Sequence, residues 1–242
     1  MEQCEYKTMS RRSSVRTTAG IALVLAQGAA GLGCMDAELS TPEASPHTLT
    51  GSSILTGPVL VIDDFTTGPG THVETGVAIQ NFTQSGTGIL GGTRCVTLGV
   101  NSNPLGRPVE VEIRNGENNY LALDSGVKVT QFMMVRYGTN NQCIATGLDV
   151  DLSNYQEFRI DYVALDLGTG VEVEVYSIGG GVSSAPLSVQ PGVNFTRHIP
   201  FSSLSGNVDW RHVRIVLFEF SSGGVVPAHD YAINGISAGP AS

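Results

Sequence analysis

Two glycine-containing motifs in this chain match the spacing of known functional loops. Gly86, Gly88 and Gly91 follow the G-x-G-x-x-G pattern of dinucleotide-binding turns, which hold a pyrophosphate at the N-terminus of the next helix. A strand-like run begins at Arg94 instead, so we expect a glycine hairpin. Ser237 lies in a G-x-S-x-G pattern, but no helix-forming run follows it and we expect a terminal turn. Neither motif therefore predicts catalysis.

Two pairs of residues could also do chemistry. Glu172 and Glu174 share one face of a strand, and paired carboxylates serve glycoside hydrolysis, although glutamates so spaced are ordinary on a solvent-facing strand. A glycan-active enzyme is therefore the least favoured function. Cys95 and Cys143 form an even pair in an exported domain, which favours a disulfide closing a loop of 47 residues and contributing about 4 kcal/mol. Two separate buried thiols are the alternative.

Trp210, the only tryptophan, precedes an apolar run that starts at Val213. Its indole could stack on a sugar ring as a ligand platform. It could instead plug one end of the fold, because a large aromatic side chain contributes strongly to burial. We favour the plug.

The elements that must position these residues are strands. Valine and isoleucine at 109, 111 and 113 alternate with charged residues, as do the valines at 171, 173 and 175, which indicates strands with one buried face. We predict further strands at 59–62, 72–79, 94–100, 127–137, 157–163, 194–200, 213–220 and 231–237. Turn-forming residues separate them, and no run predicts an amphipathic helix of normal length. The chain is therefore predicted to be all-β, an antiparallel β-sandwich.

Several motifs resemble a known architecture. Val61–Phe65, Gly88–Arg94, Ile199–Leu204 and Asp230–Ile236 look like the corresponding parts of secreted jelly-roll domains of bacterial surface proteins, including PEP-CTERM-type proteins. The layout, from about 59 to 237, is similar to galactose-binding-like and carbohydrate-binding modules. The PEP-CTERM sorting signal is not expected here, because no such motif follows Ile236. The resemblance implies a jelly roll and a non-catalytic surface protein, with a glycan as its partner. The alternative is a structural or interaction protein of the envelope or matrix.

The resemblance also implies a structural calcium ion where the first and last strands meet. The matching candidates are Asp63, Asp64 and Asp230, with Asn234 supplying an amide oxygen. Such oxygen ligands suit calcium. The alternative is that Asp63 and Asp64 are turn residues that bond the local backbone.

The first 34 residues have the layout of an export signal. Basic residues at 7, 11, 12 and 16 precede a run without charge from Ala19 to Gly33 that ends at Cys34. Three interpretations stay open. Cys34 could be the acylated residue of a lipobox, Arg11-Arg12 could belong to a twin-arginine signal, or an ordinary signal could be cut near Ala29 or Ala30. We therefore expect an exported protein that contacts a membrane only through a lipid on Cys34.

Composition separates the rest of the chain into two parts. Residues 35–57 are rich in Ser, Thr and Pro and are predicted to be a disordered tether, whereas residues 58–238 form the sandwich domain. After Cys34 there are nine Lys and Arg against twenty Asp and Glu, a net charge of −11. So acidic a domain, without a basic stripe, argues against nucleic acid as a partner.

Overall fold

A computed structural model describes residues 57–222 and 228–242. The expected signal, the lipidation candidate Cys34 and nearly all of the expected tether lie outside the described residues. Within them, no helix is long and apolar enough to cross a bilayer.

Fourteen strands make up the described chain. They are β1 (Leu60–Asp63), β2 (Gly70–Glu74), β3 (Ala78–Ser85), β4 (Thr93–Ser102), β5 (Val109–Arg114), β6 (Tyr120–Ser125), β7 (Thr130–Tyr137), β8 (Glu157–Leu165), β9 (Thr169–Ser177), β10 (Val182–Val189), β11 (Gly192–Pro200), β12 (Ser205–Gly206), β13 (Val213–Ser221) and β14 (Tyr231–Gly239). Single 3-10 turns stand at Leu90–Gly92 and Phe201–Ser203.

The strands form two seven-stranded antiparallel sheets. In sheet A the order is β11-β8-β14-β6-β5-β2, with β1 also paired to β14, and in sheet B it is β12-β10-β9-β13-β7-β4-β3. The chain passes repeatedly between the sheets, so that neighbours in each sheet are mostly distant in sequence. The predicted fold, an all-β antiparallel sandwich of jelly-roll type, is confirmed.

The alternation of apolar and polar residues divides each sheet into an inner and an outer face. Val111, Leu121 and Ile160 of sheet A and Val173 and Phe218 of sheet B are fully buried between the sheets. Residues of opposite parity point away from this core. The outer faces therefore carry the polar side chains that are available to a ligand.

Some strand boundaries differ from the prediction. The run 72–79 is two strands, β2 in sheet A and β3 in sheet B, because the chain changes sheet at Thr75–Val77. The G-x-G-x-x-G segment forms the hairpin between β3 and β4, as expected. Ser237 lies within β14, paired with Val61 of β1, rather than in a terminal turn. The sequence does not predict β6, because its leucines are followed by the turn-forming run Asp124-Ser125-Gly126, or β10, because it has few large apolar residues.

Candidate functional site

A groove crosses the outer face of sheet A. Its floor is a row of Cα partners on neighbouring strands, with three alanines, Ala122, Ala232 and Ala164, between Glu112 on one side and Val193 on the other. Because alanine side chains end at Cβ, the middle of this row is low, and a cavity of about 520 Å³ lies above it. The small residues leave room for a ligand, and the longer flanking side chains form walls.

Tyr120 is the first residue of β6 and lines two cavities on this outer face. Its ring borders the cavity over the alanines and a second cavity of about 600 Å³ that also contains Asn194 and Asn234. The guanidinium of Arg114 lies over the ring, 5.2 Å from its centroid, and the phenol donates to Glu112 Oε2 at 3.3 Å. Burial and the charge of Glu112 raise the pKa of the Tyr120 phenol, so it stays protonated. The ring is therefore held in place between the two cavities.

Acidic side chains line the far end of the first cavity. They are Glu110, Asp124, Asp166 and Asp230, and no lysine or arginine is among the described residues that line either cavity. Burial raises the pKa of Asp230, and the charges of Asp124 and Asp166 add to this effect. The groove is therefore strongly negative at this end.

Asp63 has a structural environment. Its side chain is fully buried, accepts from Arg94 Nη1 at 2.6 Å and from the Phe65 N–H at 2.9 Å, and also accepts from the Tyr137 hydroxyl at 3.0 Å. Arg94 is equally buried and also donates to the Thr67 carbonyl. Burial raises the pKa of Asp63, whereas Arg94 and the other donors act in the opposite direction. This ion pair lies inside the protein and leaves no free carboxylate oxygen for a ligand.

The structure does not bring the four calcium candidates to one point. Asp63 belongs to the buried ion pair, Asp64 and Asn234 line the second cavity, and Asp230 lines the first. Asp64 accepts from the N–H and hydroxyl of Thr66, as expected for a turn residue. Among the described residues, no three His, Cys, Asp or Glu side chains form a group that could hold a metal ion. The four do not fit a single calcium site, and calcium binding as such stays a prediction.

The predicted disulfide is confirmed. Cys95 on β4 is bonded to Cys143 in the segment between β7 and β8, with their Cα atoms 5.3 Å apart. The hydroxyl of Thr83 on β3 donates to the carbonyl of Asn141 in the same segment. The bridge therefore fastens this segment to sheet B, on the side of the sandwich away from the groove.

Trp210 packs at the periphery of the core. Its indole stacks on Phe201, with ring centroids 4.1 Å apart and planes 4° apart, and lies 6.4 Å from Phe158. Both Phe201 and Trp210 also line a cavity of about 430 Å³ together with Leu152 and Tyr155. The contacts agree with the plug, and stacking of a ligand on Trp210 stays a prediction.

The sequence carries only a weak signal for the groove residues that it does not predict. Alternation in β5 places Glu110 and Glu112 on its solvent face, and the same alternation identifies Tyr120 and Asp124 as outward-facing once Leu121 and Leu123 are assigned to the core. Their convergence depends on the order of strands in the sheet, which alternation does not contain.

No protein-family model and no curated protein match this chain. Among solved structures, it is similar to the family 11 carbohydrate-binding module of the cellulosomal cellulase Lic26A-Cel5E of Clostridium thermocellum, with 15% identity, 76% of this chain and 96% of that chain covered, and a TM-score of 0.39. The solution structure of CtCBM11 gives 13% identity, 77% and 98% coverage, and a TM-score of 0.41. The agarase AgWH50C gives 14% identity over 60% of this chain and 23% of that chain, with a TM-score of 0.39. These neighbours include carbohydrate-binding modules, but likeness this low assigns no function.

Proposed function

We propose that this chain is an exported, non-catalytic surface protein that is anchored through lipid on Cys34 and binds a glycan in the groove of sheet A. The observation that carries the glycan proposal is the groove itself, in which the Tyr120 ring stands between two cavities lined by carboxylates and side-chain amides. Sugars present apolar C–H faces, which pack on aromatic rings, and hydroxyls, which bond to such polar groups. A groove of this size and composition suits several sugar residues.

A binding test with two matched variants examines the glycan proposal. Tyr120→Ala removes the ring from the groove, and Tyr176→Ala removes an outward-facing tyrosine from β9 of the other sheet. We expect a glycan array to identify at least one bound glycan, and the Tyr120 variant to lose roughly tenfold or more in affinity for it by calorimetry. The Tyr176 variant should bind as the unaltered protein does.

Two outcomes contradict this proposal. If no glycan on the array is bound, the protein does not bind glycans. If the two tyrosine variants lose affinity equally, the glycan binds outside the groove. Release of reducing ends from a bound glycan would instead favour the glycan-active enzyme.

A structural or interaction protein is the second candidate function. Strand β3 is the last strand of sheet B, and Val77 just before it and Ile79 near its start are 71% and 66% exposed. An exposed apolar edge can pair with a partner strand. Sedimentation of the protein with and without an Ile79→Lys substitution tests this function, because self-association that the lysine abolishes would support it and a monomer in both cases would not.

The anchor has its own test. Mass spectrometry of the mature protein should find diacylglyceryl on Cys34, which would keep the domain at the cell envelope. A free N-terminus beyond Ala30 would show a released, extracellular protein instead.

The calcium prediction is also tested separately. Titration with calcium chloride in a calorimeter, followed by thermal melting, should show heat and a raised Tm if an ion is bound. If the titration shows no heat and the Tm does not change, calcium is not part of the function.

A further inference from the structure

Four carboxylates form a row across the groove end of sheet A. Glu110 and Asp124 are Cα partners on β5 and β6. Leu123 pairs with Tyr231, the first residue of β14. This pairing brings Asp230, which comes just before β14, beside Asp124. The Asp230 N–H then donates to Asp166 Oδ1 at 2.8 Å, just after β8. The row therefore crosses four consecutive strands of one sheet.

In the part of the chain that the structure describes, this row has no partner of opposite charge within ion-pair distance. None of its four carboxylates forms an ion pair with a described residue, whereas Glu112 in the neighbouring row is paired with Arg114 at 2.9 Å. Like charges on neighbouring strands repel and destabilise a sheet. The groove is the site, and these carboxylates decide which sign of charge can enter it.

The spacing of the row indicates what kind of cation fits. Neighbouring strands are about 4.8 Å apart, so the carboxylates repeat at about that distance across the sheet. Several carboxylates in a line favour a chain that carries many positive charges over a single small cation. A polysaccharide with amino groups along its length would place ammonium groups over the row while its rings lie over the alanine floor.

We infer that the ligand of the groove is an extended amino-sugar polysaccharide with free, protonated amines, such as a glucosamine polymer. This inference rests on the proposed glycan function and narrows it. Polysaccharides of uronic acids or sulfated sugars would be repelled by the same row, and neutral glycans would form hydrogen bonds to it without the added gain of charge pairing. Tyr120 and the alanine floor select a chain of rings, whereas a basic peptide needs neither.

The test uses the full chain in calorimetry at pH 5.5, where glucosamine amines are protonated. The probes are a glucosamine oligomer, its fully N-acetylated counterpart, polygalacturonate and polylysine. We expect the glucosamine oligomer to bind at least tenfold more tightly than the acetylated one, and binding to weaken as salt rises. Asp124→Asn and Asp230→Asn should each lower its affinity about two- to fivefold.

Glu172→Gln is the matched control, because it removes one charge from the outer face of sheet B. It should leave affinity unchanged. Equal binding of the acetylated and free oligomers would overturn the inference while leaving the glycan function intact, and binding of polygalacturonate alone would do the same. Polylysine binding as tightly as the glucosamine oligomer, without sensitivity to Tyr120→Ala, would show a general polycation surface and overturn the inference. Absence of binding to every glycan would defeat the proposed function as well.

Discussion

Asp63 and Asp230 lie at the ends of the paired strands β1 and β14 but have opposite electrostatic environments. Asp63 ends β1, is fully buried, and is neutralised by Arg94, with the Tyr137 hydroxyl as a further donor. Asp230 precedes β14, lines the groove, and has the carboxylates of Asp124 and Asp166 as its charged neighbours. One carboxylate is therefore satisfied within the protein, and the other faces unbalanced charge of its own sign.

This difference separates a structural role from a binding role. Removing one partner of a buried ion pair is strongly destabilising, because the remaining charge stays buried without compensation. Removing one member of a row of like charges relieves repulsion. Substitutions at the two positions should therefore change stability in opposite directions, and the following predictions test that contrast.

The largest effect is expected from Asp63→Asn. The amide keeps the shape of the side chain but leaves the fully buried Arg94 guanidinium without a counterion. We expect a loss of about 3–5 kcal/mol in the free energy of unfolding, measured by urea denaturation. Asp64→Asn, at the adjacent turn position, is the control and should change it little. If both variants lose the same free energy of unfolding, the ion pair does not contribute more to stability than the exposed turn residue does.

A smaller loss is expected from Tyr137→Phe. This substitution removes the hydroxyl that donates to Asp63 Oδ2 and should cost about 1.5–3 kcal/mol, the range for hydrogen bonds to charged groups. Tyr162→Phe is a matched control, because the buried Tyr162 hydroxyl bonds no described residue and its removal should cost nothing. Thermal melting should give a lower Tm for Tyr137→Phe than for Tyr162→Phe. Equal Tm values would contradict the prediction.

The smallest effect, and one of opposite sign, is expected from Asp230→Asn. At pH 7 the substitution should stabilise the protein by up to about 1 kcal/mol, because it removes like-charge repulsion and keeps an oxygen for the Ser125 N–H. Asp151→Asn should instead lower the stability at pH 7, because hydrogen bonds from Ser153 favour the ionised carboxylate and lower the pKa of Asp151. A lower Tm for the Asp230 variant at pH 7 would contradict the prediction.

The pH dependence of this gain follows from the pKa of Asp230. Burial and its acidic neighbours raise that pKa above 3.8, so the folded protein binds the proton more tightly than the unfolded chain does. The unaltered protein therefore loses stability, relative to the Asn variant, as the pH rises from 3.8, the ordinary pKa of an aspartate, through the raised pKa of Asp230. The two Tm values should converge below pH 3.8 and differ most near neutrality.

The fold was predictable to a large extent because it depends on alternation. The valines of β5 and β9 mark their buried faces directly, and the architecture follows from many such runs. The sequence does not predict strand β6, because its two inward leucines are followed by Asp124-Ser125-Gly126, a run that indicates a turn. Local patterns therefore identify strands well only where the inward residues are numerous.

The groove was not predictable for a different reason. Its acidic residues come from positions 110, 124, 166 and 230, and only the order of strands in the sheet brings them into one row. In the sequence Asp63 and Asp230 look alike, as aspartates at the ends of strands. Burial beside Arg94 distinguishes them, and that contact joins segments 31 residues apart.

The adjacency of β1 and β14 has a mechanical consequence. Leu60 pairs with Ala238 and Gly57 lies against Pro240, so the two ends of the described chain leave the sandwich together. A pulling force transmitted through the residues before Gly57 would act first on four-residue β1 and would peel it from β14 one hydrogen bond at a time. The Asp63 side chain, clamped by Arg94 at the inner end of that strand, would be the point at which peeling stops.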